Sequence, residues 1–70
     1  MSKTTKFYLN GQTYLTSYPL TLLELITYFD YNKSLLVLEY NNLICNQEYW
    51  NQIAVKNKDT IEIVTIVGGG

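Results

Sequence analysis

The chain opens on alternation. In Lys6-Phe7-Tyr8-Leu9, and again in Gln12-Thr13-Tyr14-Leu15-Thr16, polar and apolar positions take turns with a period of two, the mark of half-buried strands. Asn10-Gly11 stands between them. A type I′ turn needs positive φ at both central positions, and Asn and Gly tolerate it, so the stretch predicts a β-hairpin. Ser17-Tyr18-Pro19-Leu20 breaks the alternation. From Thr21 the period becomes helical: Leu22, Leu25, Ile26 and Phe29 share one face. Thr21 with Glu24 three residues on makes a capping box, in which each side chain bonds an orphan backbone N–H. The helix should stop near Asp30 to Lys33, and a helix this short needs a sheet to lie on.

Ser34 to Tyr40 is a nearly continuous apolar run, which predicts a strand buried on both faces. Asn41-Asn42 reads as a turn, Leu43-Ile44-Cys45 as a short strand, Gln47 to Gln52 as a helical turn and Asn57-Lys58-Asp59 as a further turn. Thr60 to Val67 is the clearest strand. The apolar continuity of Ile61, Ile63, Val64, Ile66 and Val67 places it at the centre of a sheet. Strands gathered around one helix predict an α+β fold: a mixed sheet of four to five strands packed on one main helix. Met1 to Thr5 precede the pattern and are expected to be disordered.

Composition agrees with a compact core. Seventy residues make one domain at most, and a domain this small buries only about 60% of its unfolded surface. With 47% hydrophobic and 16% charged residues the chain does not read as disordered. No apolar run approaches the ~20 residues that span a bilayer. Nor does an apolar stretch follow the polar Met1 to Lys6, so no secretory signal is expected. A net charge of −1 offers no basic patch, which argues against nucleic acid and anionic membranes as partners. One cysteine, Cys45, makes no internal disulfide and fits a reducing compartment. The five cations are all lysines, and Asn, Ile and Tyr abound, a bias of AT-rich coding that points to a low-GC bacterium or a plastid genome. The cytoplasm of such a bacterium, or the plastid stroma, is the expected location.

Side-chain catalysis finds little support. There is no histidine, which removes the usual general base and metal ligand. Cys45 lies in an apolar stretch and reads as a small core residue, with a sulfur-handling thiol as the alternative. The acidic residues Glu24, Asp30, Glu39, Glu48, Asp59 and Glu62 are spread singly, unlike a metal loop. Glu24 caps a helix, Asp59 reads as a turn residue and the others as solvated. Tyr49 and Trp50 fit two readings equally, an interface anchor or a plug at one end of the core.

The sequence closes on Gly68-Gly69-Gly70, directly after the last strand. No lysine or helix follows, so this is not a phosphate loop. Three extended glycines reach about 10 Å and carry no side chain, so they could thread a narrow enzyme channel carboxylate first. Residues 67–70 are therefore expected to form a flexible reactive tail on a single domain spanning 1–70. The bland alternatives are a frayed terminus and a linker remnant.

Four stretches carry a family resemblance: Leu9 to Gln12, Thr21 to Ile26, Val37 to Trp50 and, most specifically, Lys58 to Gly70 with its closing strand and glycines. Together they resemble the ThiS family, ubiquitin-like β-grasp sulfur carriers of thiamine thiazole biosynthesis, over nearly the whole chain from Lys6. The resemblance implies that a ThiF-like adenylating enzyme uses ATP to adenylate Gly70. Sulfur drawn from a cysteine desulfurase then leaves a thiocarboxylate, which thiazole synthase ThiG consumes. On this reading the protein is a co-substrate without a bound cofactor or metal. Gly68 and Gly69 enter the partner's active site, and Ile66 and Val67 belong to the docking surface. Three alternatives stand beside it. One is the small subunit of molybdopterin synthase, whose family is longer and richer in proline before the tail. Another is a lysine-conjugated modifier, whose tail would carry arginine. The last is a β-grasp binding module with an idle tail.

Overall fold

The computed structural model describes residues 4–66. Five strands and one α-helix follow the chain as β1 (Thr5–Leu9), β2 (Gln12–Thr16), α1 (Leu22–Tyr28), β3 (Leu36–Tyr40), β4 (Leu43–Cys45) and β5 (Thr60–Thr65). Single 3₁₀ turns precede β3 at Lys33–Leu35 and follow β4 at Gln47–Tyr49. The strands form one mixed sheet in the order β2-β1-β5-β3-β4, with β5 in the middle as its apolar sequence requires. It runs parallel to β1 and antiparallel to β3. Strand, hairpin, helix and returning central strand make the β-grasp arrangement.

Both hairpins close as their side chains demand. Asn10 and Gly11 hold φ of 50° and 80°, and Asn41 and Asn42 hold 52° and 73°. These are the left-handed conformations that asparagine and glycine accept most cheaply. Asn10 has a second task. The β1–β5 ladder ends at Leu9 and Ile61, and Asn10 prolongs it. Its N–H donates to the Ile61 carbonyl at 2.9 Å, and its Oδ1 accepts from the Ile63 N–H at 2.7 Å.

The helix has its orphan groups satisfied at both ends. Thr21 Oγ1 accepts from the Glu24 N–H, and Glu24 Oε1 accepts from the Thr21 N–H, which completes the expected capping box. The N–H groups of Leu22 and Leu23 donate to the carbonyls of Ile53 and Trp50. At the other end Asp30 takes φ 60°, while the Tyr31 N–H reaches the Ile26 carbonyl and the Asp30 N–H that of Thr27, a Schellman motif.

Leu22, Leu25 and Ile26 face the sheet and are essentially inaccessible. They meet Phe7, Leu9, Leu36, Leu38, Ile61 and Ile63, and Trp50 and Val55 complete the core. Three expectations are corrected here. Thr5, expected to be disordered, is the first residue of β1 and pairs with Thr16. Ser34 and Leu35 belong to a 3₁₀ turn, so β3 starts at Leu36. Nor is β3 buried on both faces: Leu36 and Leu38 are buried, but Val37 and Glu39 are only half-buried. The helix covers one face of the sheet, and among the described residues the opposite face has no layer over it.

Candidate functional site

The predicted reactive residues Gly68, Gly69 and Gly70, and the predicted docking residue Val67, lie outside the described residues. What the structure does define is the surface from which they issue. β5 leads to them from the middle of the sheet, and Ile66 is held by its N–H donating to the Leu35 carbonyl at 2.6 Å. Its side chain is 52% exposed.

Strand alternation sets what stands beside Ile66. Ile61 and Ile63 point to the core, so Glu62 and Val64 point to the open face. On β3 the same face carries Val37 and Glu39, opposite Val64 and Glu62 respectively. On β4 it carries Ile44, opposite Glu39. Val64 and Ile44 are 56% and 69% exposed. Ile66, Val64, Val37 and Ile44 thus share the open face; Glu62 and Glu39 lie beyond Val64 and Val37 toward the start of β5, with Ile44 beside Glu39. Read from sequence alone, Glu39 and Glu62 were solvated singletons. Each stands within an otherwise apolar strand, which was the available signal, but their adjacency needed the register.

The remaining candidates sort into structure. Trp50 is a core plug: it is 2% exposed, and its Nε1–H donates to the Cys45 carbonyl at 3.0 Å. Tyr49 beside it is exposed. Cys45 is half-buried against the core, and burial pushes its thiol pKa up, which disfavours the thiolate. Asp59 proves more than a turn residue. It is buried and accepts from the Tyr40 hydroxyl at 2.5 Å, the Lys56 N–H at 2.7 Å and Asn41 Nδ2 at 3.1 Å. Desolvation alone would raise its pKa, but these hydrogen bonds and the Lys56 charge outweigh burial and hold it below the usual carboxylate value. For Tyr40, burial and the hydrogen bond to Asp59 both act upward, to about 12. This clamp sits at the start of β5, at the end of the sheet away from the tail.

Among the described residues no three His, Cys, Asp or Glu side chains gather into a metal-binding group. No helix among them is long and apolar enough to cross a membrane.

One helix packed on a five-stranded mixed sheet with β5 at its centre defines the ubiquitin-like β-grasp class. Within that class the chain belongs to the ThiS family, whose model matches residues 6–70. These family members are small, non-catalytic sulfur carriers that interact with enzymes of thiamine biosynthesis. An uncharacterised ycf40 protein of Trieres chinensis is 59% identical over 64 residues, covering 91% of this chain and 88% of its own. The ycf40 protein of Porphyra purpurea is 31% identical over 70 residues, covering 100% of this chain and 99% of its own. The crystal structure of the thiamine biosynthesis protein ThiS of Geobacter metallireducens superposes with a TM-score of 0.79. That alignment covers 94% of this chain and all of the other at 22% identity, and it establishes the shared fold.

Proposed function

We propose that the protein carries sulfur as a C-terminal thiocarboxylate on Gly70, for the thiazole ring of thiamine. The observation that carries this reading is the family match through residue 70, which takes in the closing strand and all three glycines. A ThiF-like enzyme adenylates the Gly70 carboxylate with ATP, releasing pyrophosphate. Activation is required because a carboxylate is a poor electrophile. A persulfide formed by a cysteine desulfurase displaces AMP, a thiol reductant cleaves the resulting acyl disulfide to the thiocarboxylate, and thiazole synthase takes the sulfur and returns the carboxylate. Gly68 and Gly69 let the terminus pass where side chains would clash. The open face around Ile66 holds the partner while they do so, with Val67 as a further proposed contact. The plastid stroma is the proposed location, in keeping with the ycf40 relatives, which are plastid-encoded in algae.

Accurate-mass spectrometry of the C-terminal peptide tests the reading. The protein is incubated with ATP, cysteine, a desulfurase and the host's adenylating enzyme, and the peptide is cut to exclude Met1 and Cys45. Sulfur in place of one Gly70 oxygen is expected. An unmodified Gly70, with the enzyme shown to be active on another carrier, refutes it.

A further inference from the structure

The turn between β1 and β2 carries a chemistry of its own. Of the asparagines in the chain, only Asn10 is followed by glycine. The backbone nitrogen that follows an asparagine is a nucleophile that can close a small ring on that residue's side-chain amide carbon. A side chain on the following residue hinders the approach. Gly11 has none, and the space where a Cβ would stand is open. Both residues are exposed, so water reaches them. The other turn asparagines differ. Asn41 is followed by Asn42, and its side chain is held at both ends, Oδ1 by the Thr60 N–H and Nδ2 by Asp59. Asn57 precedes Lys58, and its Oδ1 accepts from the Lys6 N–H. While the turn is closed, however, Asn10 is protected. Positive φ at both Asn10 and Gly11 defines type I′, which sets ψ of Asn10 at about +30°. The Gly11 nitrogen then lies nearly anti to the Asn10 Cβ, turned away from Cγ. Oδ1 is meanwhile engaged by the Ile63 N–H at 2.7 Å.

We propose that Asn10 is a self-modification site gated by the opening of its own turn, at which the side-chain amide becomes an isoaspartyl or aspartyl carboxylate. When the turn opens, the Gly11 nitrogen attacks Cγ and gives up its proton. The Cγ–Nδ2 bond breaks and ammonia leaves, which closes a cyclic imide. Water then cleaves one of the two C–N bonds to Gly11. Cleavage at Cγ restores the ordinary backbone with aspartate in place of asparagine. Cleavage at the α-carbonyl routes the main chain through Cβ and Cγ and leaves isoaspartate. The net change is one water in and one ammonia out, with no change of oxidation state. The two products part company at β5. Aspartate keeps an acceptor for the Ile63 N–H. Isoaspartate adds a carbon to the main chain of a two-residue turn whose flanks, Leu9 and Gln12, are paired, and it leaves the free carboxylate on Cα. The turn then no longer closes in register, and the Ile63 N–H loses its acceptor. β5 from Ile63 onward is left tied on the β3 side only. Loss of ammonia makes the step one-way, so Asn10 records how often the hairpin has opened.

The test incubates the full chain in mildly alkaline buffer, which eases removal of the Gly11 amide proton, beside an unstructured peptide of residues 8–13. Peptide mapping by mass spectrometry follows each asparagine for replacement of its NH2 by OH, and fragmentation separates isoaspartate from aspartate. Hydrogen exchange of the Ile63 amide measures the opening equilibrium independently. In the native protein Asn10 should convert before every other asparagine. It should do so more slowly than the peptide by the factor by which the Ile63 amide is protected, about tenfold or more. Urea that unfolds the chain should bring the two rates together. The purified isoaspartyl form should lose protection at Ile63, whereas Asn10→Asp should keep it. Another asparagine converting first, or no conversion at Asn10 at the rate that exchange predicts, overturns the site. A native rate equal to that of the peptide overturns the gate. An isoaspartyl form with Ile63 as protected as in wild type overturns the coupling to β5.

Discussion

The Asp59 clamp gives the sharpest energetic prediction. Tyr40, Asn41 and the Lys56 N–H converge on one carboxylate, which thereby ties the β3–β4 hairpin to the start of β5. Tyr40→Phe removes one hydroxyl whose partner is charged and buried, a bond worth roughly 1.5–3 kcal/mol. Each kcal/mol shifts the melting temperature of a domain this size by about 4–8 °C, so a fall near 10 °C is expected. Asp59→Ala orphans the Tyr40 hydroxyl and the Lys56 N–H together and should cost about 3–5 kcal/mol. That is comparable with the whole stability of a small domain, roughly 0.05–0.15 kcal/mol per residue. Asp59→Asn keeps an acceptor and allows a double-mutant cycle with Tyr40→Phe, with coupling of about 1.5–3 kcal/mol. The pH dependence follows from the directions of the two shifts. Because Asp59 is depressed in the folded state, its contribution is complete above the unfolded value of 3.8 and disappears as pH falls below it through the folded value. Tyr40 is raised from 10.0 to about 12, so the unfolded chain loses that proton first and stability declines as pH rises across this interval. Trp50, buried in the core, reports unfolding by fluorescence in urea. A Tyr40→Phe loss below about 0.5 kcal/mol, with both pH limbs unchanged, would refute the reasoning.

Other consequences can be checked on the same footing. Thr21→Ala removes the capping box and should cost about 1 kcal/mol by urea unfolding. Asp30→Gly should stabilise the protein by about 1 kcal/mol, since it relieves a left-handed residue and removes a negative charge from the negative end of a helix dipole. Asn10→Gly retains the turn but drops the bond to the Ile63 N–H, so that amide should exchange hydrogen markedly faster than in wild type. Deleting Gly69 and Gly70 should abolish adenylation and leave the melting temperature unchanged; an adenylated truncated protein would exclude Gly70 as the reacting group.

What was legible in the sequence was mostly local or periodic. Asn10-Gly11 specifies its turn through backbone conformation alone, and Thr21 with Glu24 specifies a helix start through neighbours three residues apart. The central place of β5 was legible because Ile61 and Ile63 sit in an almost unbroken apolar strand. The same rule failed for β3. An apolar run cannot tell how many layers will cover it, and the one helix here covers one face. Partnerships between distant residues were hidden as well. Asp59 looks like any turn aspartate until Tyr40, 19 residues away, is placed beside it. Glu39 and Glu62 become a pair only when the β3–β5 register is known. The anchoring of Ile63 by Asn10 spans 53 positions and leaves no trace in either stretch.

That anchoring also governs how the molecule bears load. From Ile63 backward, β5 is held on both sides, by β3 and by β1 with Asn10. Beyond it, Val64 to Ile66 are tied through β3 and Leu35, because β1 has already turned back. A pull on the C-terminus therefore peels this last stretch from one neighbour, bond by bond, and stalls at Ile63 where two must yield together. Val64 to Ile66 can therefore come away from the sheet while the hydrophobic core stays shut.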